Sequence, residues 1–106
     1  MQLQIESRHV YLTDALEDYV ARRVGFAFNR VAHRITDIVV RLANINGPRG
    51  GEDKSCQVQV RLNRGRTVVL EGRDASAYRA IDRTLSRAKR TVREELRRRR
   101  DRRRTM

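Results

Sequence analysis

Six arginines, Arg79, Arg83, Arg87, Arg90, Arg93 and Arg97, recur three and four residues apart near the end of a 106-residue chain. On a helical wheel at about 100° per residue they fall within an arc of roughly 120°. A guanidinium presents its N–H donors as a planar fork and grips a phosphate through two parallel bonds. From Arg79 to Arg97 the row spans roughly 27 Å at 1.5 Å per residue, enough to touch several phosphates in succession. A merely solvated helix face usually mixes signs at i,i+4, because like charges there repel. Here Arg79–Arg83, Arg83–Arg87 and Arg93–Arg97 are all like-charge pairs, with Glu94 near the row and Asp82 and Glu95 off it. A polyanion relieves such repulsion, so the row points to nucleic-acid phosphate.

A second patch lies earlier. Tyr19, Arg22, Arg23, Phe26 and Arg30 share one flank of another helical stretch. Arg22, Arg23 and Arg30 are expected as phosphate contacts. Aromatics among arginines can stack bases or simply widen a core contact, and for Phe26 the core is the expectation. Other chemistries find no footing. His9 and His33 lack a matching cysteine or a close second histidine, so no metal ligand set forms. Cys56 is the only cysteine, which excludes an intramolecular disulfide, and it falls on the apolar side of a strand. No Ser-His-acid set, phosphate-cradling glycine loop or pair of inward carboxylates can be assembled. Neither an enzyme nor a cofactor is expected.

Composition bounds the same answer. At 12.4 kDa there is room for one hydrophobic core. Lys and Arg number 25 against 13 acids, a net charge of +12, and residues 83–106 hold twelve of those cations against three acids. Lys54 and Lys89 are the only lysines, although codon usage would explain that preference as well as phosphate binding does. No apolar run approaches the roughly 20 residues of a membrane span, and Met1 to Glu6 lacks the features of a secretory signal. A cytoplasmic protein without membrane or small-molecule partners is expected.

These side chains need a scaffold. Leu3 and Ile5 alternate with polar residues, the period of a half-buried strand. Thr13 is a plausible N-cap for a helix over 14–31, whose apolar stripe is Leu16, Val20, Val24, Ala27, Phe28 and Val31. Thr36 to Ile45 reads as a second strand, and Asn44 to Lys54, with the only proline and three glycines, as a flexible connection. Cys56, Val58, Val60 and Leu62 mark a one-sided third strand. Asn63-Arg64-Gly65-Arg66 turns it into a fourth, Thr67 to Glu71. Asp74 is expected to cap a second helix with the apolar face Ala77, Ile81, Leu85, Ala88, Val92 and Leu96. That face lies roughly 165° from the arginines, which must then point into solvent. The order β-α-β-β-β-α predicts an α+β two-layer sandwich, a four-stranded sheet with both helices on one face. One domain is expected over 1–97, followed by a basic tail, 98–106, that frays or is disordered because nothing apolar remains to dock.

The segments Met1-Gln2-Leu3-Gln4-Ile5, Leu12-Thr13-Asp14-Ala15-Leu16, Ile38-Val39-Val40 and Glu71-Gly72-Arg73-Asp74 occur in the order of one family. Ala77-Tyr78-Arg79-Ala80-Ile81-Asp82, opening the second helix, is the most specific piece. Over residues 1–97 the chain resembles the ribosome hibernation-promoting factors and ribosome-associated inhibitor proteins, also called the sigma-54 modulation family. The resemblance implies a fold like a double-stranded RNA-binding domain with a strand added in front. It implies binding to the small ribosomal subunit near the decoding centre, blocking messenger and transfer RNA in stationary phase or stress. It also implies RNA contacts at Arg22, Arg23, Arg79, Arg83, Arg87 and Arg90. The chain departs from the family where Gly25 and Phe26 replace a lysine, at Ala75-Ser76, and in a longer loop at 46–54. Long family members continue into a second domain that pairs ribosomes; this chain ends before any such domain and is expected not to pair ribosomes by itself, and a monomer is expected. Two other readings remain: a general double-stranded RNA binder, and a protein–protein, sigma-factor modulator using the open sheet face.

Overall fold

The computed structural model describes residues 1–45 and 53–105, with side chains through Arg100. Most of the connection expected between Asn44 and Lys54, and Met106, lie outside the described residues. The elements are β1 (Gln2–Arg8), α1 (Asp14–Phe28), a 3-10 helix (Asn29–Arg34), β2 (Ile35–Asn44), β3 (Lys54–Leu62), β4 (Thr67–Asp74) and α2 (Ala77–Thr105). The strands lie in the order β1-β2-β3-β4. β1 runs parallel to β2 across the α1 crossover, and the remaining pairs are antiparallel.

Register divides the sheet into two faces. Ile5, Val40, Val58 and Leu70 pair in one row across all four strands, and the next row is Glu6, Arg41, Gln57 and Glu71. Side chains alternate along a strand, so the first row faces the helices and the second faces away. Leu16, Val20, Val24 and Phe28 of α1 close over the apolar face beside Ile81, Leu85 and Val92 of α2, all in one buried cluster. Each such side chain, fully buried, stabilises the fold by roughly 1.5–3 kcal/mol. Gly72 lets α2 approach β4 closely, since a Cβ there would collide with the Thr84 hydroxyl. This packing fixes the rotation of α2 about its axis, and with it the direction of every outer side chain.

Three boundaries differ from expectation. α1 ends at Phe28 rather than residue 31; the Asn29 N–H still bonds Gly25 O, and the chain then tightens into the 3-10 turn that delivers Ile35 to β2. Asp74 is not the cap of α2 but the end of β4, where its carboxylate accepts the Ser76 N–H at 3.0 Å. Ser76 stands in the cap position, its Oγ accepting the Arg79 N–H at 3.5 Å. The largest difference is the tail. α2 continues through residues 98–105, where fraying was the expectation. Arginine is among the better helix formers, and Arg99 is anchored: its Nη1 donates to Asn63 O at 2.9 Å. Twenty-nine residues make a rod of about 43 Å, and the molecule is 55 Å along its longest axis.

Candidate nucleic-acid interface

All six arginines of the α2 row are exposed, as the wheel demands. They do not, however, form one uniform ridge. Arg83 and Arg87 lean sideways over β4 rather than straight into solvent. Arg83 Nη1 lies 3.3 Å from Asp74 Oδ2 and 3.5 Å from Arg73 O, and Arg87 Nη1 donates to Glu71 O at 2.9 Å. β4 is an edge strand, so these guanidiniums cap carbonyls that its only neighbour, β3, leaves unpaired. Arg79, Arg90, Arg93 and Arg97 have no ion pair or side-chain hydrogen bond among the described residues.

On α1 the flank also separates. Arg22 is exposed and unpaired among the described residues, and Arg30 is exposed on the 3-10 helix rather than on α1 itself. Arg23 is committed inward, its Nε 3.0 Å from Asp82 Oδ1. Tyr19 is structural: its Oη donates to the same Asp82 oxygen at 2.6 Å, and its ring meets Tyr78 edge to face at 4.8 Å. The hydrogen bond to Asp82, then burial, push the Tyr19 hydroxyl above its ordinary pKa. Phe26 overturns the core expectation. It is 77% exposed, beside Arg23 and Lys89 at the mouth of the α1–α2 groove.

Near its C-terminal end α2 borders a second groove, lined by Arg34, Arg90, Arg93, Arg97 and Arg100 together with Glu94 and the apolar Val31 and Leu96. Arg34 and Arg100 were not among the candidate residues. No periodicity marks Arg34, which the 3-10 turn brings alongside, and Arg100 falls in a stretch whose composition suggested fraying. The open sheet face pairs some of its charge, although Arg8 and Arg73 in its next outward row have no ion pair among the described residues. Arg41 bonds Glu6, Gln57 and Gln59, and Arg61 pairs with Asp37. Among the described residues more unpaired positive charge lies on the helix side, at Arg22, Arg30, Arg79, Arg90, Arg93 and Arg97, than on the sheet. The carboxylate held at its border, Asp74, is kept below the usual carboxylate range by the Ser76 N–H, assisted by Arg83.

Cys56 is buried, and burial pushes its thiol up to about 12. Among the described residues no group of three or more His, Cys, Asp or Glu could hold a metal ion. No described helix is long and apolar enough to cross a membrane.

No curated protein matches the chain in sequence. Among solved structures, the N-terminal domain of Thermus thermophilus Protein Y is similar at 29% identity and a TM-score of 0.71, covering 87% of this chain and 96% of that domain. A ribosomal subunit interface protein from Coxiella burnetii shares the fold at 17% identity and a TM-score of 0.75, covering 91% of this chain and 98% of that one. The family model described as Sigma 54 modulation protein / S30EA ribosomal protein matches residues 3–100, and the chain belongs to that family.

Proposed function

We propose that this protein is a non-catalytic ribosome hibernation factor that acts by occupancy. The outer faces of α1 and α2 lie on the small ribosomal subunit near the decoding centre, in the channel of messenger and transfer RNA. The protein sits with ribosomes in the cytoplasm and silences them in stationary phase or stress. Family membership supports the ribosome as partner. The observation that carries the choice of face is the row of Arg79, Arg90, Arg93 and Arg97 on α2, unpaired among the described residues, against an open sheet face where Arg41 and Arg61 are paired and only Arg8 and Arg73 are not. Arg22 and Arg30 extend the contact, while Arg23, Arg83 and Arg87 serve the fold and RNA together.

Contacts of this kind release counterions condensed on RNA. Affinity should fall with salt by roughly 0.7–0.9 log units per log unit of salt for each phosphate neutralised. Selectivity then comes from the shape of the folded RNA, because a rigid row of guanidiniums reads phosphate geometry rather than base edges. The test is co-sedimentation of the full chain with small subunits at two ionic strengths, alongside Arg90→Glu/Arg93→Glu. Release of that variant supports the reading, and unchanged co-sedimentation at physiological salt refutes it. Equal affinity for arbitrary RNA duplexes would instead make the protein a general duplex binder. Binding that survives nuclease would make it a protein-directed modulator.

A further inference from the structure

We propose that the end of the molecule where the 3-10 helix, the β3–β4 hairpin and α2 meet is a second anion site, for a ligand with closely spaced phosphates. The site goes beyond the ribosome contact proposed above and stands whether or not the α2 row binds RNA. One concavity there is lined by the guanidinium-bearing residues Arg34, Arg64, Arg66, Arg99 and Arg100, with His33 at its rim. Among the described residues one carboxylate answers them: Glu95, whose side chain is 7% exposed, 3.4 Å from Arg66 and 4.0 Å from Arg99.

The concavity is built rather than incidental. Asn63 ties its three walls together. Its Nδ2 donates to His33 O at 2.8 Å, its N–H to Arg34 O at 3.0 Å, and its carbonyl accepts from Arg99 at 2.9 Å. The Thr36 hydroxyl in turn fixes the Asn63 side chain, donating to Oδ1 at 2.6 Å. Arg99 lies so close over Gly65 that a Cβ there would collide with its guanidinium. At the turn itself Arg64 holds φ 58, a left-handed conformation that Gly or Asn adopts with less strain.

The side chains of Arg34, Arg64 and Arg100 make no ion pair or hydrogen bond among the described residues. Arg66, Arg99 and Glu95 brace the walls, while the other three guanidiniums meet no carboxylate among the described residues and repel one another, a repulsion that a bound anion relieves. Planar forks favour phosphate over a simple halide. The lining offers no aromatic ring to stack a base, so recognition rests on the phosphates. Free oligophosphate and consecutive phosphodiesters of RNA share that chemistry.

The experiment titrates the full chain with inorganic tripolyphosphate by calorimetry at fixed ionic strength. It compares Arg34→Gln/Arg64→Gln/Arg100→Gln with Arg22→Gln/Arg79→Gln/Arg90→Gln, which removes equal charge elsewhere. The first variant is expected to lose at least about tenfold in affinity, and the control less than about threefold. Arg64→Asn alone should weaken tripolyphosphate while keeping or raising the melting temperature, which separates binding from folding. A parallel arm measures small-subunit binding by the first variant. A salt dependence shallower by roughly 0.7–0.9 for each phosphate no longer neutralised identifies RNA as the source. An unchanged one, with tripolyphosphate binding abolished, identifies a free oligophosphate. Wild-type tripolyphosphate affinity in the first variant, or equal losses in both variants, overturns the site.

Discussion

Arg87 donates from Nη1 to the carbonyl of Glu71 at 2.9 Å, so a residue of the outer α2 row also finishes the edge of the sheet. Arg83 does the same at Arg73, one turn earlier. A guanidinium has five donors and can serve a carbonyl and a phosphate at once. These two positions are therefore poor places to test RNA binding alone. Arg83→Glu/Arg87→Glu is expected to lower folding stability by about 1–2 kcal/mol in urea denaturation as well as weakening ribosome binding. Arg90→Glu/Arg93→Glu should weaken binding with stability within about 0.5 kcal/mol of wild type, as for surface positions without partners. Equal stability losses in the two pairs would remove the edge-capping role.

Tyr19, Arg23 and Asp82 form the seam between α1 and α2. Tyr19→Phe deletes a 2.6 Å bond to a carboxylate and is expected to cost about 1–2 kcal/mol. The same bond raises the Tyr19 hydroxyl pKa. The folded state thus holds the phenol proton more tightly than the unfolded chain does. Its contribution is full below the ordinary tyrosine value of about 10 and fades as pH rises through the higher folded value. Ultraviolet titration should find one tyrosine ionising late, and Asp82→Asn should bring it back.

Asp74 gives the opposite sign. The Ser76 N–H and Arg83 hold its carboxyl low. Its contribution is complete above the unfolded value of about 3.9 and is lost as pH falls through the lower folded value. The acid limb of the stability profile should therefore flatten in Asp74→Asn. An unchanged limb would show that Asp74 contributes nothing to acid sensitivity.

Cys56 reports on global opening. Its thiol is buried beneath α2 and pushed up to about 12, far above the ordinary value of about 8.5. Reaction with a disulfide reagent at pH 8 is expected only through unfolding, at a rate that rises with urea. Rapid labelling of the native protein would show that α2 lifts locally from β3.

The strands and the rotation of α2 were legible because their period is simple: Val58 and Val60 alternate with Gln57 and Gln59, and Ile81, Leu85 and Val92 follow the helical repeat. Positions set by long-range contact were not. Arg34, Arg64 and Arg99 carry no shared spacing, and contacts distant in sequence, at Asn63 above all, bring their elements together. The tail looked unstructured because composition weighs its repulsion and omits its anchor at Asn63. Arg23 looked free because its partner, Asp82, lies 59 positions along the chain.

Phe26 is the sharpest case of a misleading local pattern. It sits one position from the core stripe, beside Ala27, yet α1 turns it outward to 77% exposure among Arg23 and Lys89. An isolated apolar side chain on a surface is ordinary; an aromatic one bordered by cations on a face rich in unpaired arginines fits base stacking. Stacking of one base on an aromatic side chain contributes about 1–3 kcal/mol by alanine substitution. Phe26→Ala is thus expected to weaken small-subunit binding by about fivefold to a hundredfold, with folding stability unchanged within about 0.5 kcal/mol. The chain has no tryptophan, so Phe26→Trp introduces a single indole whose fluorescence a stacked base should quench. Phe26→Leu separates shape from aromaticity: it keeps apolar contact but offers no ring face, and should behave like the alanine variant. If leucine binds as well as phenylalanine and the tryptophan stays bright on the ribosome, Phe26 makes only an apolar contact and the bases lie elsewhere.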